Sequence, residues 1–260
     1  MILDVLYESS LKRVARQKEK ISLEEMKERA FKSTPNKKDS FYQALKTSEL
    51  AYICEIKKAS PSKGVIAKEF PYLTIAKEYE RAGAAAISVL TEPEYFLGNN
   101  KYLKEIAKIS SLPILRKDFI VDPYQIYEAR ALGASAILLI SSILSEEELL
   151  SFLLLSRKLG LDALVEAHTK EEITLAIKVG ADIIGVNNRN LKDFSVDLKQ
   201  TLKLRQLVPA EILFVAESGI STRKDVAVLE ENKVNAVLIG ESLMRSSDKK
   251  KMLATLKGLK

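Results

Sequence analysis

From residue 51 onward, short apolar runs alternate with amphipathic segments, and this alternation limits the folds that the chain can adopt. Each run is rich in Val and Ile and is apolar at consecutive positions rather than at every second position. Such runs are typical of parallel strands that are covered on both faces. The predicted strands span 51–56, 85–90, 113–115, 134–140, 161–165, 182–186, 212–215 and 235–239.

A weak internal repeat marks the junctions between the predicted helices and strands. Gly83, Gly133 and Gly180 each end a predicted helix and precede a strand, as a glycine in the C′ position does. Asn235 lies at the corresponding junction before the eighth strand. The repeat therefore supports a regular helix–strand order along the chain.

Eight strands that alternate with helices predict the α/β class and a (β/α)8 TIM barrel. The alternative is a doubly wound open sheet with a nucleotide site, which calls for G-x-G-x-x-G after the first strand. Residues 57–64 follow the first strand here and contain one glycine, Gly64. The barrel is therefore favoured over the open sheet.

The segment before the first strand is predicted to be helical, and no glycine occurs before Gly64. Ser22 and Glu25 form a capping-box pattern at the start of one helix, and Ser40 begins another. We therefore predict a single barrel domain over 1–260, of which about 1–50 is a helical N-terminal extension. Its apolar stripe is expected to close part of the barrel mouth.

The composition excludes several functions. The single cysteine, Cys54, cannot form an intrachain disulfide, and one histidine, His168, leaves too few ligands for a structural zinc site. A Ser-His-Asp triad would depend on His168, which we interpret as a surface or capping residue near the start of a helix. The 41 Lys and Arg exceed the 35 Asp and Glu, giving a net charge of +6.

Acidic residues interleave with the basic ones through most of the chain, and no basic face with exposed aromatics predicts a nucleic-acid partner. The N-terminus does not resemble a secretory signal, and no run approaches the ~18 apolar residues of a membrane span. We therefore expect a cytoplasmic protein without a membrane partner, and we expect a monomer.

Polar residues close nearly every predicted strand at the end where barrels place their active sites. Glu55 and Lys57 lie on one side of the first strand, Lys117 emerges from the third, and Glu166 ends the fifth. A buried lysine needs a depressed pKa or an anionic partner, so a structural ion pair with Asp118 or Glu55 is the alternative at Lys117. Gathered at one end of a barrel, these titratable groups indicate acid–base catalysis.

Three further strand ends predict an anionic substrate. Asn187 and Arg189, after the sixth strand, offer an amide and a guanidinium to an anionic oxygen. Gly219 and Gly240 follow the last two strands, where barrels commonly bind phosphate and where backbone N–H groups can approach a ligand closely. Phe96, after the second strand, either covers a planar substrate or packs onto its own loop.

Six segments carry a resemblance to a known family. They are EIKKASPSKG at 55–64, RKDFIVDPYQ at 116–125, LVEAH at 164–168, GVNNR at 185–189, AESGI at 216–220 and IGESLM at 239–244. In this order they resemble the indole-3-glycerol-phosphate synthase family of tryptophan biosynthesis, and the resemblance covers the whole chain. It implies a carboxy-lyase that needs no metal or organic cofactor.

The implied reaction closes a ring in 1-(2-carboxyphenylamino)-1-deoxyribulose 5-phosphate, with loss of CO2 and water, to give indole-3-glycerol phosphate. By resemblance, Lys117 is the general acid that protonates the ketone oxygen during ring closure, and Glu166 is its acid–base or electrostatic partner. Glu55 and Lys57 are implied to serve carboxylate binding and the later dehydration. Asn187 is the fifth residue implied to be catalytic, and with Arg189 it is implied to hold the carboxylate and hydroxyls.

The resemblance also implies a set of substrate-binding residues. The phosphate is expected to lie against Ser60 and the backbone that follows the last two strands, and the aromatic ring against apolar side chains. The full set is Ser60, Phe96, Phe119, Leu138, Arg189, Glu217, Ser218, Gly219, Gly240 and Glu241.

Two other enzyme classes stay as alternatives. A sugar-phosphate isomerase on the same barrel would use an Asp or Cys base pair at strand ends, and no predicted strand ends that way. A Schiff-base aldolase would use Lys117 or Lys57 as its nucleophile. Covalent capture by borohydride with a keto substrate would favour the aldolase.

Overall fold

The structure is a computed structural model that describes residues 2–33, 40–47, 49–190 and 194–259. In these ranges eight strands close into a parallel barrel, which confirms the predicted TIM barrel. The strands are β1 (Ala51–Ile56), β2 (Ala86–Leu90), β3 (Ile114–Lys117), β4 (Ala136–Ile140), β5 (Asp162–Ala167), β6 (Ile183–Asn187), β7 (Leu213–Glu217) and β8 (Ala236–Ile239). Each pairs with its neighbours in the chain, and β1 pairs with β8.

Helices cover the outside of the barrel. They are α4 (Tyr72–Arg81), α5 (Asn100–Ile109), α6 (Pro123–Leu132), α7 (Glu146–Lys158), α8 (Lys170–Lys178), α9 (Leu198–Arg205), α10 (Arg223–Glu231), α11 (Glu241–Arg245) and α12 (Lys249–Lys257). A short antiparallel ribbon, Ala59–Ser60 with Gly64–Val65, lies in the loop after β1, and a 3-10 turn, Ser141–Ile143, follows β4. Within the described ranges, none of the helices is long and apolar enough to cross a membrane.

Among the described residues before the barrel, three helices occur, as predicted: α1 (Ile2–Lys20), α2 (Leu23–Lys32) and α3 (Phe41–Leu45). In α1, Ile2 and Leu6 line the cavity at the carboxyl end of the strands. In α3, the Tyr42 N–H donates to Asp162, the first residue of β5, at 2.8 Å, so this helix lies at the amino end. The expectation that the leading helices close the mouth is therefore right for α1 and wrong for α3, which closes the opposite end.

Strand side chains alternate between two cores. Outward-facing residues such as Cys54 pack with the helices, whereas Ile53, Leu164 and Val215 fill the barrel interior. Two positions further along β1, β5 and β7, the inward-facing residues are Glu55, Glu166 and Glu217. The interior is therefore apolar towards the amino end and charged at the carboxyl end.

The junctions agree with the glycine repeat, with one correction. Gly83, Gly133 and Gly180 all have positive φ, from 79° to 91°, as the C′ position requires. At the fourth junction the left-handed residue is Lys233, with φ 56°, and not Asn235. The Asn235 side chain instead accepts a hydrogen bond from the Phe214 N–H at 2.8 Å, which ties the loop to β7.

Candidate active site

A cavity of about 400 Å3 opens at the carboxyl end of the barrel. It brings together every predicted site residue except Glu217, which is buried behind it against Lys117. The predicted residues on its wall are Glu55, Lys57, Ser60, Phe96, Lys117, Phe119, Leu138, Glu166, Asn187, Arg189, Ser218, Gly219, Gly240 and Glu241. Its size falls in the range of small-molecule sites.

Lys117 is the centre of the ionic cluster in this cavity. Its Nζ lies 2.9 Å from Glu217 Oε2 and 3.8 Å from Glu55 Oε1, and Lys57 also bonds Glu55. Lys117 comes from β3, whereas its partners come from β7 and β1, so barrel closure assembles the cluster. Of the two outcomes expected for a buried lysine, the structure has the anionic partner and not the depressed pKa.

The protonation states follow from burial and from these neighbours. Burial would lower the pKa of Lys117, but the carboxylates of Glu217, Glu55 and Glu166 outweigh burial and hold that pKa above its usual range. Burial would raise the pKa of Glu55, but Lys57 and Lys117 lower it. Burial raises the pKa of Glu217 to about 7; Lys117 opposes this, and Glu166 and Glu55 reinforce it. The cluster thus holds an ammonium donor beside a carboxylate that titrates near neutrality.

Glu166 is the last residue but one of β5; its side chain is 3% exposed, and Asn187 Nδ2 donates to its Oε2 at 3.4 Å. On its other side, His168 Nε2 lies 3.5 Å from Glu166 Oε1. The interpretation of His168 as a surface or capping residue is therefore wrong. Its side chain is 17% exposed, and Thr169 is the N-cap of α8.

The turns after β7 and β8 are tight for different reasons. Ser218 and Gly219 have φ values of 65° and 77°, and a Cβ on Gly219 would collide with Val196. A Cβ on Gly240 would collide with Glu55 and lie 3.0 Å from Lys57 Nζ. Sequence reasoning attributed both glycines to the approach of a ligand; the structure adds that Gly240 makes room for the Glu55–Lys57 pair.

Part of the cavity lining is apolar. Phe96 and Phe119 have ring centroids 6.1 Å apart with an interplanar angle of 41°, and Leu138 lies on the same wall. Sequence reasoning missed what holds the Phe96 loop. The buried Glu92 carboxylate accepts the backbone N–H groups of Glu94, Tyr95 and Phe96 at 2.8–2.9 Å. The signal was a glutamate two residues after the end of an apolar strand, at a position where burial demands partners.

Arg189 also reaches the cavity, with Nη1 donating to the Phe194 carbonyl at 3.3 Å and Nη2 3.8 Å from Glu241 Oε2. Among the described residues, no group of three or more His, Cys, Asp or Glu side chains is arranged to hold a metal ion. A closed (β/α)8 barrel with acids, ammonium groups and aromatic side chains around a cavity at its carboxyl end is typical of a barrel enzyme that acts on a small molecule.

Comparisons with known proteins specify the family. The family described as indole-3-glycerol phosphate synthase matches residues 3–256. A protein of that name from Ruminiclostridium cellulolyticum is 52% identical over 258 residues, 99% of each chain. Another from Lacticaseibacillus casei is 54% identical over 257 residues, again 99% of each chain. The chain therefore belongs to the indole-3-glycerol phosphate synthase family, which confirms the resemblance.

Solved structures agree on the fold. A 3-hexulose-6-phosphate synthase is similar with a TM-score of 0.65 at 12% identity, over 80% of this chain and 99% of that one. A thiamine phosphate pyrophosphorylase from Pyrococcus furiosus has a TM-score of 0.58 at 18% identity, over 84% and 96%. At these identities the likeness concerns the barrel alone.

Proposed function

We propose that this chain is a carboxy-lyase of tryptophan biosynthesis that forms indole-3-glycerol phosphate. Its substrate is 1-(2-carboxyphenylamino)-1-deoxyribulose 5-phosphate, which closes a ring between an aromatic carbon and the ketone and then loses CO2 and water. The assignment of this reaction is supported by membership of the family. The observation that carries the mechanism is an ammonium group, Lys117, held by carboxylates in a cavity that two phenylalanines also line.

Lys117 is proposed as the general acid of ring closure. As the aromatic carbon attacks, negative charge develops on the ketone oxygen, and a proton from Nζ neutralises it there. General acids of this kind contribute roughly 10²–10⁴-fold, or about 3–5 kcal/mol of barrier. Support comes from the raised pKa of Lys117, which keeps the donor protonated. The same raised pKa argues against a Schiff-base aldolase, since that mechanism needs a neutral amine.

Glu55 and Lys57 are proposed to act on the substrate carboxylate and in the dehydration. Lys57 is bonded to Glu55 and is 18% exposed, so its ammonium group is available to an incoming carboxylate. Asn187 and Arg189 are proposed to hold the carboxylate and hydroxyls. Glu166, next to Asn187, is proposed as the acid–base partner.

The two ends of the flexible substrate are proposed to bind at opposite walls. The phosphate is assigned to Ser60 and to the backbone of Ser218, Gly219, Gly240 and Glu241, and the aromatic ring to Phe96, Phe119 and Leu138. Glu217 is proposed to act through Lys117, which it bonds at 2.9 Å. Holding both ends in a fixed geometry supplies the orientation that an intramolecular reaction needs.

The direct test is to add the phosphorylated anthranilate substrate and to follow indole absorbance and fluorescence. The chain contains no tryptophan, so its own fluorescence does not mask the indole of the product. We expect stoichiometric release of CO2. No indole signal at micromolar enzyme would contradict the proposal.

We also propose a cytoplasmic monomer that binds neither nucleic acid nor membranes. The size of the particle in solution, measured by sedimentation, tests the monomer. A gel shift at physiological salt tests nucleic acid, and a shifted band would contradict this part of the proposal.

A further inference from the structure

His168, the single histidine of the chain, lies beside the proposed acid–base residue Glu166. Glu166 lines the cavity, and the imidazole stands next to it with Nε2 3.5 Å from Oε1. The other ring nitrogen, Nδ1, lies 3.6 Å from Glu172 Oε2 on α8. The ring therefore bridges one carboxylate in the cavity wall and one on the outer helix.

The backbone of His168 is fixed from two sides. Its N–H donates to Glu172 Oε2 at 2.7 Å, and its carbonyl accepts from Gln200 Nε2 on α9 at 2.6 Å. Two helices thus set where the imidazole stands. The imidazole itself lies between two carboxylates, those of Glu166 and Glu172.

Nε2 of His168 is buried and has no hydrogen-bond partner. A buried polar nitrogen without a partner is costly. The acceptor in reach is Glu166 Oε1, and a shift of a few tenths of an ångström turns their 3.5 Å separation into a hydrogen bond. The fold therefore places Nε2 of His168 next to the Glu166 carboxylate, just beyond the usual length of a hydrogen bond.

Charge favours protonation of the ring. Burial would lower the pKa of His168, but the carboxylates of Glu172, Glu166 and Glu217 outweigh it and raise that pKa. These groups face the ring from α8, β5 and β7. As an imidazolium the ring donates from both nitrogens, which suits a position between two carboxylates.

We propose that His168 is a positioning residue: its imidazolium, held between Glu172 and Glu166, directs the Glu166 carboxylate into the cavity. The inference rests on the proposed function, because Glu166 matters only if the cavity catalyses the reaction. It has a consequence for pH. As the pH rises through the pKa of His168, the imidazolium is lost and kcat falls.

The first experiment measures the charge coupling without any substrate. In protein without a histidine tag, the imidazole proton signals come from His168 alone, so proton NMR follows its titration directly. We expect a pKa above the usual ~6.5, and a downward shift in Glu166→Gln. The matched control is Glu171→Gln, which makes the same charge change at an exposed neighbouring position of α8 and should leave the titration unchanged. If His168 has the same pKa in Glu166→Gln as in the wild-type protein, the inference is wrong.

The second experiment separates positioning from structure. His168→Leu removes both donors and should lower kcat roughly 10- to 100-fold with a much smaller change in KM, the cost of a misplaced catalytic group. His168→Gln keeps an N–H donor that does not titrate, so it should recover most of that loss and lack the alkaline fall of kcat. If His168→Leu has the same kcat as the wild-type protein, the inference is wrong. No turnover by the unchanged protein overturns the proposed function, and this inference with it.

Discussion

Arg116 and Lys117 are neighbours on β3, yet they belong to two different ionic networks. Alternation along the strand turns Arg116 outward, towards the helices, and Lys117 inward, towards the cavity. Arg116 bonds Glu128 at 2.6 Å, Asp118 at 3.3 Å and the Gln125 carbonyl at 2.9 Å, and Nε donates to Thr91. All three nitrogens of the Arg116 guanidinium therefore have hydrogen-bond partners.

In the inward network, two buried polar atoms have no hydrogen-bond partner. Lys117 bonds Glu217 Oε2, while Oε1 of the same carboxylate is buried without a partner. His168 Nε2, next to Glu166, is likewise unpartnered. Both unpartnered atoms belong to side chains that contact residues of the cavity wall, Lys117 and Glu166.

The leading helices connect the two networks. Arg13 of α1 bonds Asp118 Oδ1 at 2.6 Å, and that oxygen also accepts the N–H of Phe119, a residue of the cavity wall. Lys18, further along α1, bonds Asp122 at 2.6 Å. The N-terminal extension is therefore fastened to the outward network while its first turn lies at the mouth of the inward one.

The largest effect is expected from removing residues 1–50. Leu6, Phe41 and Leu45 are at most 2% exposed, and each buried side chain of this kind contributes about 1.5–3 kcal/mol. Their sum is a large part of the ~5–15 kcal/mol net stability of a domain. We expect residues 51–260 to fold poorly and bind substrate weakly, measured by thermal denaturation and by titration. Full activity of this fragment would refute the role given to the extension.

Lys117→Met breaks the inward network. We expect single-turnover ring closure to fall by ~10²–10⁴, as for a lost general acid, with substrate binding changing much less. Lys57→Met is the matched comparison: it should weaken binding or let a ring-closed species accumulate before dehydration. Rapid-quench analysis at saturating substrate distinguishes them. If both changes only raise Kd, the lysines merely neutralise substrate charge.

Arg116→Met breaks the outward network. It leaves the buried carboxylate of Glu128 without its cation, which typically costs about 3–5 kcal/mol, whereas Asp118 keeps its ion pair with Arg13. We expect a clear loss in the free energy of urea unfolding, and a ring-closure rate much less reduced than in Lys117→Met. If Arg116→Met is as stable as the wild-type protein and closes the ring as slowly as Lys117→Met, the separation of the two networks is wrong.

Gly219→Leu tests the phosphate end of the inward region. The residue has φ 77°, and any Cβ there meets Val196, so the turn must move. Loss of one hydrogen bond to a charged group predicts a KM increase of roughly 10- to 100-fold with little change in kcat. Gly160→Leu is the control, because φ is 68° there but nothing lies within 4 Å of a Cβ. Inorganic phosphate should compete with substrate in the wild-type protein. If KM does not rise in Gly219→Leu and phosphate does not compete, the phosphate site is assigned wrongly.

The smallest expected effects are on the pH dependence of stability, where the two networks differ in sign. Burial would raise the pKa of Asp118, but Arg13 and Arg116 lower it, so its contribution is present above the unfolded pKa of ~3.9 and is lost on acidification. The pKa of Glu217 is raised to about 7, so stability declines as the pH rises from the unfolded value of ~4.3 towards 7.

We therefore expect Asp118→Asn to flatten the acid limb of the stability curve below about pH 4. Glu217→Gln should flatten the decline between about pH 4 and 7. Urea unfolding as a function of pH checks both. The same slope in Glu217→Gln and the unchanged protein would mean that Glu217 titrates normally.

Much of the site was predictable because strand ends converge in a barrel. Glu55, Glu166 and Asn187 follow apolar runs, and their convergence follows from the fold. The third strand was predicted to end at Leu115, because two charged residues break the apolar pattern there; in the structure it continues to Lys117. His168 was misjudged because a lone polar residue after a strand does not reveal which neighbours face it.

The sequence by itself determined the barrel, the helical extension and the set of polar residues at the carboxyl ends, since these depend on periodicity and on order along the chain. Tertiary structure decided the pairings. Lys117 meets Glu217 from a position 100 residues away, and Arg13 meets Asp118 from 105 residues away. Alternation predicts that Arg116 and Lys117 face opposite sides, but only closure of the sheet and docking of α6 place a carboxylate on each side. Whether a buried charge holds the fold or serves the reaction depends on those partners, because burial alone penalises both.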